Sequence, residues 1–365
     1  MAERKLFMAL GEEAARSTPE STTVGFIPLA EPKEPKYEPN DKPREEYRGE
    51  ESALGLTDDR RMDEKWSWSP KMPAYTESGG AQKGLMGTLL KHFFGKSASG
   101  QNGATGQHYH MMYPVVDMFS AANLGDKALT PNISISEGAN LRLWPFVGGR
   151  IKSLSFDQEP GNQLMITAEM MGQKRGTVGA GEASPSWPAE NLRLNFNSLK
   201  AYIGTITKTG TAPNYTQFGF GSATQFKPDK LSIKLTNGNE DKLRLSGLAY
   251  PDKTVMGSFA GSLEMTIDWE DPGGGAFSSV DEFAAWMAGI STTNFCFVWD
   301  TGTQAGTGDN HMLILDIPKA VRRGGDLGWS RNKDGNIVLK YDLRLDETTS
   351  KYLVGLMLKN TASAV

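Results

Sequence analysis

Residues 230–250, KLSIKLTNGNEDKLRLSGLAY, do most to limit what this chain can fold into. Leu231, Ile233 and Leu235 alternate with polar residues, Asn237-Gly238 carries turn chemistry, and Leu243 and Leu245 resume the alternation. A period of two puts successive apolar side chains on one face of a strand, and Asn-Gly tolerates the positive φ of a hairpin turn. The reading is a strand that turns and returns. The same grammar recurs in Leu154 and Phe156 before Glu159-Pro160-Gly161-Asn162, with Leu164 and Ile166 after it. It recurs again in Leu263, Met265 and Ile267, and in Ile337, Leu339, Tyr341 and Leu343 after Asp334-Gly335. With 41 glycines and 19 prolines to supply turns, the expectation is a mainly β protein. A length of 365 residues suits two domains.

Two segments have helical spacing instead. GLMGTLLKHFFG places Leu85, Leu89 and Phe93, with Met86 and Leu90, on one stripe that Gly95 ends. SSVDEFAAWMAGI has Ser278 or Ser279 as a cap, Asp281 and Glu282 near its N-terminus, and Gly289 near its end. Around each helix the chain reads strand, glycine-rich turn, helix, strand, loop, strand, closing hairpin. The first series begins at KWSWSPKMPAY, where Trp66, Trp68 and Met72 share a face, and the second at SFAGSLEMTIDWE. Even the hairpins correspond, Leu154-x-Phe156 and Gly161-Asn162 matching Leu327-x-Trp329 and Gly335-Asn336. The pattern predicts a duplicated β domain with one short flanking helix per repeat.

The expected boundaries are an N-terminal arm over 1–60, a first repeat over 61–171, a linker loop over 172–190, a second repeat over 191–350 and a tail over 351–365. Residues 1–17 are charged and helix-tolerant. The segment FIPLAEPKEPKYEPNDKPREEYRGEE (26–51) is nearly devoid of apolar residues, so an extended, polyproline-like arm is expected, either disordered or ordered only against another subunit. Deleting 1–60 is then expected to leave the β core folded and to weaken contacts between subunits.

Charge and composition remove several functions. A net charge of -4 offers no basic footprint for nucleic acid. The single cysteine, Cys296, excludes an intramolecular disulfide framework and a cysteine zinc cluster. No apolar run spans a bilayer, and MAERKLFMALGEEAARS lacks the apolar core and cleavage site of a secretory signal, so a soluble protein made in a reducing compartment is expected. His108 and His110 share a strand face and, with His311 or an acidic residue, suit zinc or copper; the plainer reading is two strand histidines with no metal. His92 reads as a helix-surface residue near a C-terminus, and Cys296, between Phe295 and Phe297, as a buried structural thiol. Asp268 and Glu270 resemble an acid/base couple only as any two of 43 acidic residues do. There is no G-x-S-x-G elbow and no P-loop. No catalytic residue, metal ligand or cofactor site is expected, and the chain does not read as an enzyme.

FIPL, REEYRGEESALG, MDEKWSWSPKMPAYTESGG, GLMGTLLKHFFG and the histidine-bearing strand after it resemble the long-form tail tube (major tail) proteins of tailed bacteriophages. The resemblance is best over residues 24–170 and continues as pattern through the second half. It implies a β-sandwich or barrel core with a flanking helix, and subunits that join into rings whose inner sheets line a channel. It further implies rings stacked into a tube, other tail proteins at the tube ends, and genomic DNA passing through without specific binding. Two repeats per chain favour a trimeric ring of pseudo-hexameric shape over a hexamer. The implied location is the virion tail, after synthesis in the host cytoplasm. A channel for DNA should not grip phosphates, and a mildly acidic chain agrees. The alternative is a two-domain all-β carbohydrate-binding or adhesion module, with Trp66, Trp68 or Trp144 as stacking platforms. A metal-dependent hydrolase using His108, His110 and His311 is a third class.

Overall fold

The structure, a computed structural model, describes residues 6–20, 25–31, 33–43, 59–76, 85–101, 106–137, 140–181, 187–246, 248–273, 275–324 and 335–363. Within them two α-helices interrupt a protein made of antiparallel strands. One layer runs, in pairing order, Lys71–Pro73, Met165–Gly172, Arg150–Gln158, Lys230–Thr236, Ala260–Asp268 and Asn336–Leu343. The facing layer runs Ser97–Gln101, His108–Met112, Gly355–Asn360, Asn310–Gly324, Thr292–Gln304, Leu199–Gly204 and Ala223–Phe226. Strand Asn310–Gly324 belongs to both: residues 312–316 pair with Gly355–Asn360, and 320–324 pair with Asn336–Leu343.

Period-two patterning puts the core between these layers. Leu154, Phe156, Ile166, Leu231, Ile233, Leu235, Leu263, Met265 and Leu339 meet Phe295, Phe297, Trp299, Leu313, Leu315 and Leu358 in one buried cluster. Phe295 stands edge-on to Tyr341 with ring centroids 5.0 Å apart, and Trp299 Nε1 donates to Gln158 Oε1 at 2.6 Å, tying layer to layer. Each fully buried side chain of this size contributes roughly 1.5–3 kcal/mol of apolar burial. The outer face of the second layer (Cys296, Val298, Ile314, Met357) is covered by the hairpin Thr207–Thr211/Asn214–Gly219 through Tyr215 and Phe218.

The two helices differ in environment. The first, Leu85–Phe94, is buried at nine of its ten positions and is closed by Gly95, at φ 85°, whose N–H bonds Lys91 O at 2.8 Å. The second, Ser279–Ala288, is capped by Ser278 Oγ, which accepts from Asp281 N at 3.0 Å, and only Ser279 of its residues is buried. What covers the first helix is a smaller sheet. There Leu6–Glu13 lies between Gly25–Ile27 and Ala128–Glu137, with Asn140–Val147 beyond, and Met8 and Leu10 join Leu89, Leu90 and Phe93 in the core.

Several sequence expectations are corrected here. Part of the helix-tolerant segment 1–17 is a strand, because an eight-residue register with 128–135 and an apolar face outweigh local propensity. Part of the proline-rich segment is a strand too: Lys36–Pro43 pairs with Asp59–Trp68 at the rim of the larger sheet. Pro39 has no N–H to give, and an edge strand leaves that side unpaired. Lys230–Thr236 pairs with Ala260–Asp268, not with a returning 243–245. The reason is Asn237, which is buried and donates to Ile151 O at 2.8 Å, while Gly238, at φ 62°, sits where a Cβ would lie 2.9 Å from Gly257 Cα. The chain is drawn through this neck into a short hairpin, Glu240–Lys242/Lys253–Val255, and Leu243 and Leu245 are left exposed. The parallel drawn at Leu327, Trp329 and Asp334 falls outside the described residues.

Because Leu10 is fully buried, removing residues 1–60 removes core and not an appendage. Leu10→Ala is expected to lower the unfolding free energy by about 2–5 kcal/mol, read as a lower urea midpoint at unchanged slope. An N-terminal strand that hung free of the core would give no shift.

Candidate functional site

Of the side chains singled out for chemistry, His110, His311 and Cys296 are buried, His108 is half-buried, and Asp268 and Glu270 are exposed. His110 is fully buried, with Nδ1 2.7 Å from Ser99 Oγ and Nε2 2.9 Å from Ala362 O and 3.1 Å from Asn360 Oδ1. Two acceptors at Nε2 place the proton there, so Nδ1 accepts from the serine. Burial lowers the pKa of this imidazole, which acts as a neutral cross-link between strands. His311 is buried elsewhere, its pKa also lowered by burial. Among the described residues no three or more His, Cys, Asp or Glu side chains are grouped so as to hold a metal ion. Cys296 is fully buried, and burial, with Asp316 nearby, pushes its thiol pKa up, which disfavours the reactive thiolate.

The tryptophans are equally committed. Trp66 and Trp68 are 1% and 3% exposed; their indole N–H groups donate to Val147 O at 2.9 Å and Lys33 O at 2.7 Å. Neither offers a ring face to a sugar. Trp144 is covered by the Arg175 guanidinium, 4.9 Å from its ring centroid.

Two buried polar networks clamp peripheral segments to the sandwich. In the first, the Glu13 carboxylate accepts from Thr130 Oγ1 at 2.6 Å, Gly148 N at 2.7 Å and Ser17 N at 3.0 Å. One turn on, Arg16 pairs with Asp241 at 2.7 Å, the two side chains only 5% and 10% exposed, and Thr254 Oγ1 donates to the same carboxylate at 2.6 Å. The N-terminal strand and the projecting hairpin are thereby joined across 225 residues of sequence. Glu12, alongside, faces Lys91 at 3.1 Å, His92 at 3.2 Å and Lys127 at 3.6 Å. His92 is therefore a buried residue and not a helix-surface one, and burial holds its pKa down to about 4 even with that carboxylate beside it. In the second network buried Asp316 is bonded by Lys208 and by Tyr352 OH at 2.7 Å, and Lys208 also reaches Ser350 Oγ at 2.7 Å. It anchors the covering hairpin beside a cleft of about 650 Å³ lined by Thr205, Thr211, Asn294, Asp346 and Thr349. Sequence reasoning missed both networks, since every ion pair in them joins residues more than 75 positions apart.

What is left free is peripheral. The larger sheet ends at Lys36–Pro43 and at Ala223–Phe226, and large apolar side chains stand exposed on the projecting hairpin (Leu243, Leu245, Leu248) and about the second helix (Trp269, Met287, Ile290). Exposed apolar groups gathered in a patch mark a surface suited to contact with another molecule. A family model for phage tail tube proteins matches residues 67–326, more than two thirds of the chain. The chain belongs to the phage tail tube protein family, whose members are structural components of the virion tail and not enzymes. Comparison with curated proteins finds no match. Among the described residues no helix is long and apolar enough to cross a membrane.

The networks make two predictions. Arg16→Ala leaves Asp241 buried without its cation and is expected to destabilise the fold by about 3–5 kcal/mol in chemical denaturation, against near zero for a surface pair. Folded His92 titrates near 4 and unfolded histidine near 6.5, so between those values the unfolded chain holds the extra proton. Stability should fall as pH drops through that window. His92→Gln should flatten the slope of melting temperature against pH there; a slope equal to wild type would remove His92 as its source.

Proposed function

We propose that the chain assembles into rings that stack into the tail tube, through whose lumen the viral genome passes into the host. The observation that carries the ring is a recurrence in strand pairing. Lys71–Pro73 pairs with Met165–Gly172, which pairs with Arg150–Gln158; the first helix leads into the hairpin Ser97–Gln101/His108–Met112. Ala260–Asp268 pairs with Asn336–Leu343, which pairs with 320–324; the second helix leads into the strands Thr292–Gln304 and Asn310–Gly324. The two sets lie head to tail in one sheet with Lys230–Thr236 between them. This supports an ancient duplication, with repeats over 61–171 and 191–350 and a linker at 172–190.

A head-to-tail contact that repeats by rotation closes a ring, and two repeats per chain make three chains the equivalent of six. We therefore favour a trimer of pseudo-hexameric shape. Segment 1–60, beyond the strands it lends its own chain, adds contacts between subunits. Other tail proteins bind the tube ends. The subunit is made in the host cytoplasm, is not anchored in a membrane and has no catalytic task. A net charge of -4 suits a lumen that lets phosphates slide.

Negative-stain electron microscopy with mass photometry tests this reading. The expectation is hollow rings of roughly 119 kDa, three times the 39.8 kDa chain, and tubes at higher concentration. Rings of roughly 239 kDa would replace the trimer by a hexamer. Monomers at every concentration and salt would overturn the tube.

A further inference from the structure

Strands Lys230–Thr236 and Ala260–Asp268 run antiparallel, Thr236 opposite Ala260 at one end and Lys230 opposite Thr266 near the other. Surfaces of opposite character emerge from those two ends. From the first projects the hairpin Glu240–Lys242/Lys253–Val255, whose tip exposes Leu243, Leu245 and Leu248 beside the exposed cations Lys242, Arg244 and Lys253. At the second, Trp269 is 43% exposed and held edge-on by Phe283, ring centroids 5.8 Å apart. Around it Asp268, Glu270, Asp271 and Asp281 are all exposed, and burial, with the charges of Asp268 and Glu270, raises the carboxyl of Asp229. Among the described residues neither the three cations nor these four exposed carboxylates form an ion pair within the chain.

The ends are about 26 Å apart, eight strand steps of about 3.3 Å, so one molecule does not bring them together. Leu243 and Leu245 have the spacing of a core strand and no core of their own. We propose that the basic, leucine-bearing hairpin tip of one copy docks on Trp269 and its acidic collar in a second copy, joining copies end to end along the strand direction. Leucine side chains cover the indole, Arg244 meets carboxylates or the ring face, and lysines complete the neutralisation. Because the two patches differ, the contact is heterologous and leaves a free tip and a free collar at each end of a stack, so it propagates. The inference rests on the tube reading and assigns this contact to the joint between rings, not to ring closure.

Charge exchange in the full chain tests it. Lys242→Glu with Arg244→Glu, and separately Glu270→Lys with Asp271→Lys, are expected to keep the ring mass by sedimentation and to cut tubes at least tenfold by electron microscopy. Combining all four should restore tubes. Tubes at wild-type frequency in either charge-reversed variant, or no recovery in the combination, overturns the joint and leaves the ring standing. A wild-type chain that never forms rings overturns both. If circular dichroism finds a charge variant unfolded, a cysteine pair decides: Leu245→Cys with Glu270→Cys, against the single buried native Cys296, should oxidise to a ladder of linked chains in tubes. Tubes that oxidise without a ladder refute the contact.

Discussion

Lys230–Thr236 bonds on one edge to Arg150–Gln158 and on the other to Ala260–Asp268, and Gly355–Asn360 does the same in the facing layer between His108–Met112 and Asn310–Gly324. One strand per layer thus welds the first half of the chain to the second. Without them each layer would open at two bare edges, the surfaces through which β proteins aggregate. Their register is held by burial: a slip of one residue would turn Leu231, Ile233 and Leu235 from the core to solvent. The fork in Asn310–Gly324, which feeds both layers, closes the sandwich on one side.

Polar groups in this protein hold segments in place. Glu13 and Arg16 fasten the N-terminal strand to the Gly148 turn and to the projecting hairpin, and Asp316 with Lys208 fastens the covering hairpin to the sheet. Each is buried and hydrogen-bonded on several sides, the condition under which a charge can be tolerated away from water. Such clamps suit a subunit whose rim must keep its shape while neighbours press on it. His110 and Cys296 are packed into the same scaffold.

Much of the fold was legible. Alternation at Leu154, Phe156, Ile166, Leu263, Met265, Ile267, Leu339 and Tyr341 identified strands and the faces they bury, and the two helical stripes ended at the glycines that end the helices. The tail tube family was legible through residues that lie partly within the matched span. Less visible was the N-terminal strand, where charged neighbours mask Met8 and Leu10. The Asn237-Gly238 turn misled in a specific way. Its asparagine was claimed by Ile151 O in another strand, so the chain passed on and the next leucines surfaced.

By itself, then, the sequence determined local conformation: which stretches extend, which coil, where they turn and which side chains share a face. Those follow from steric period and from the φ that glycine, asparagine and proline allow, all decided within a few residues. Tertiary structure alone decided which strands pair, why one helix is buried and the other largely exposed, and why two leucines at core spacing face water. Pairing partners such as Lys230–Thr236 and Arg150–Gln158, or Arg16 and Asp241, stand many tens to hundreds of residues apart. A hydrogen-bonding edge or a buried charge accepts any partner of the right shape, and only the assembled core selects which one arrives.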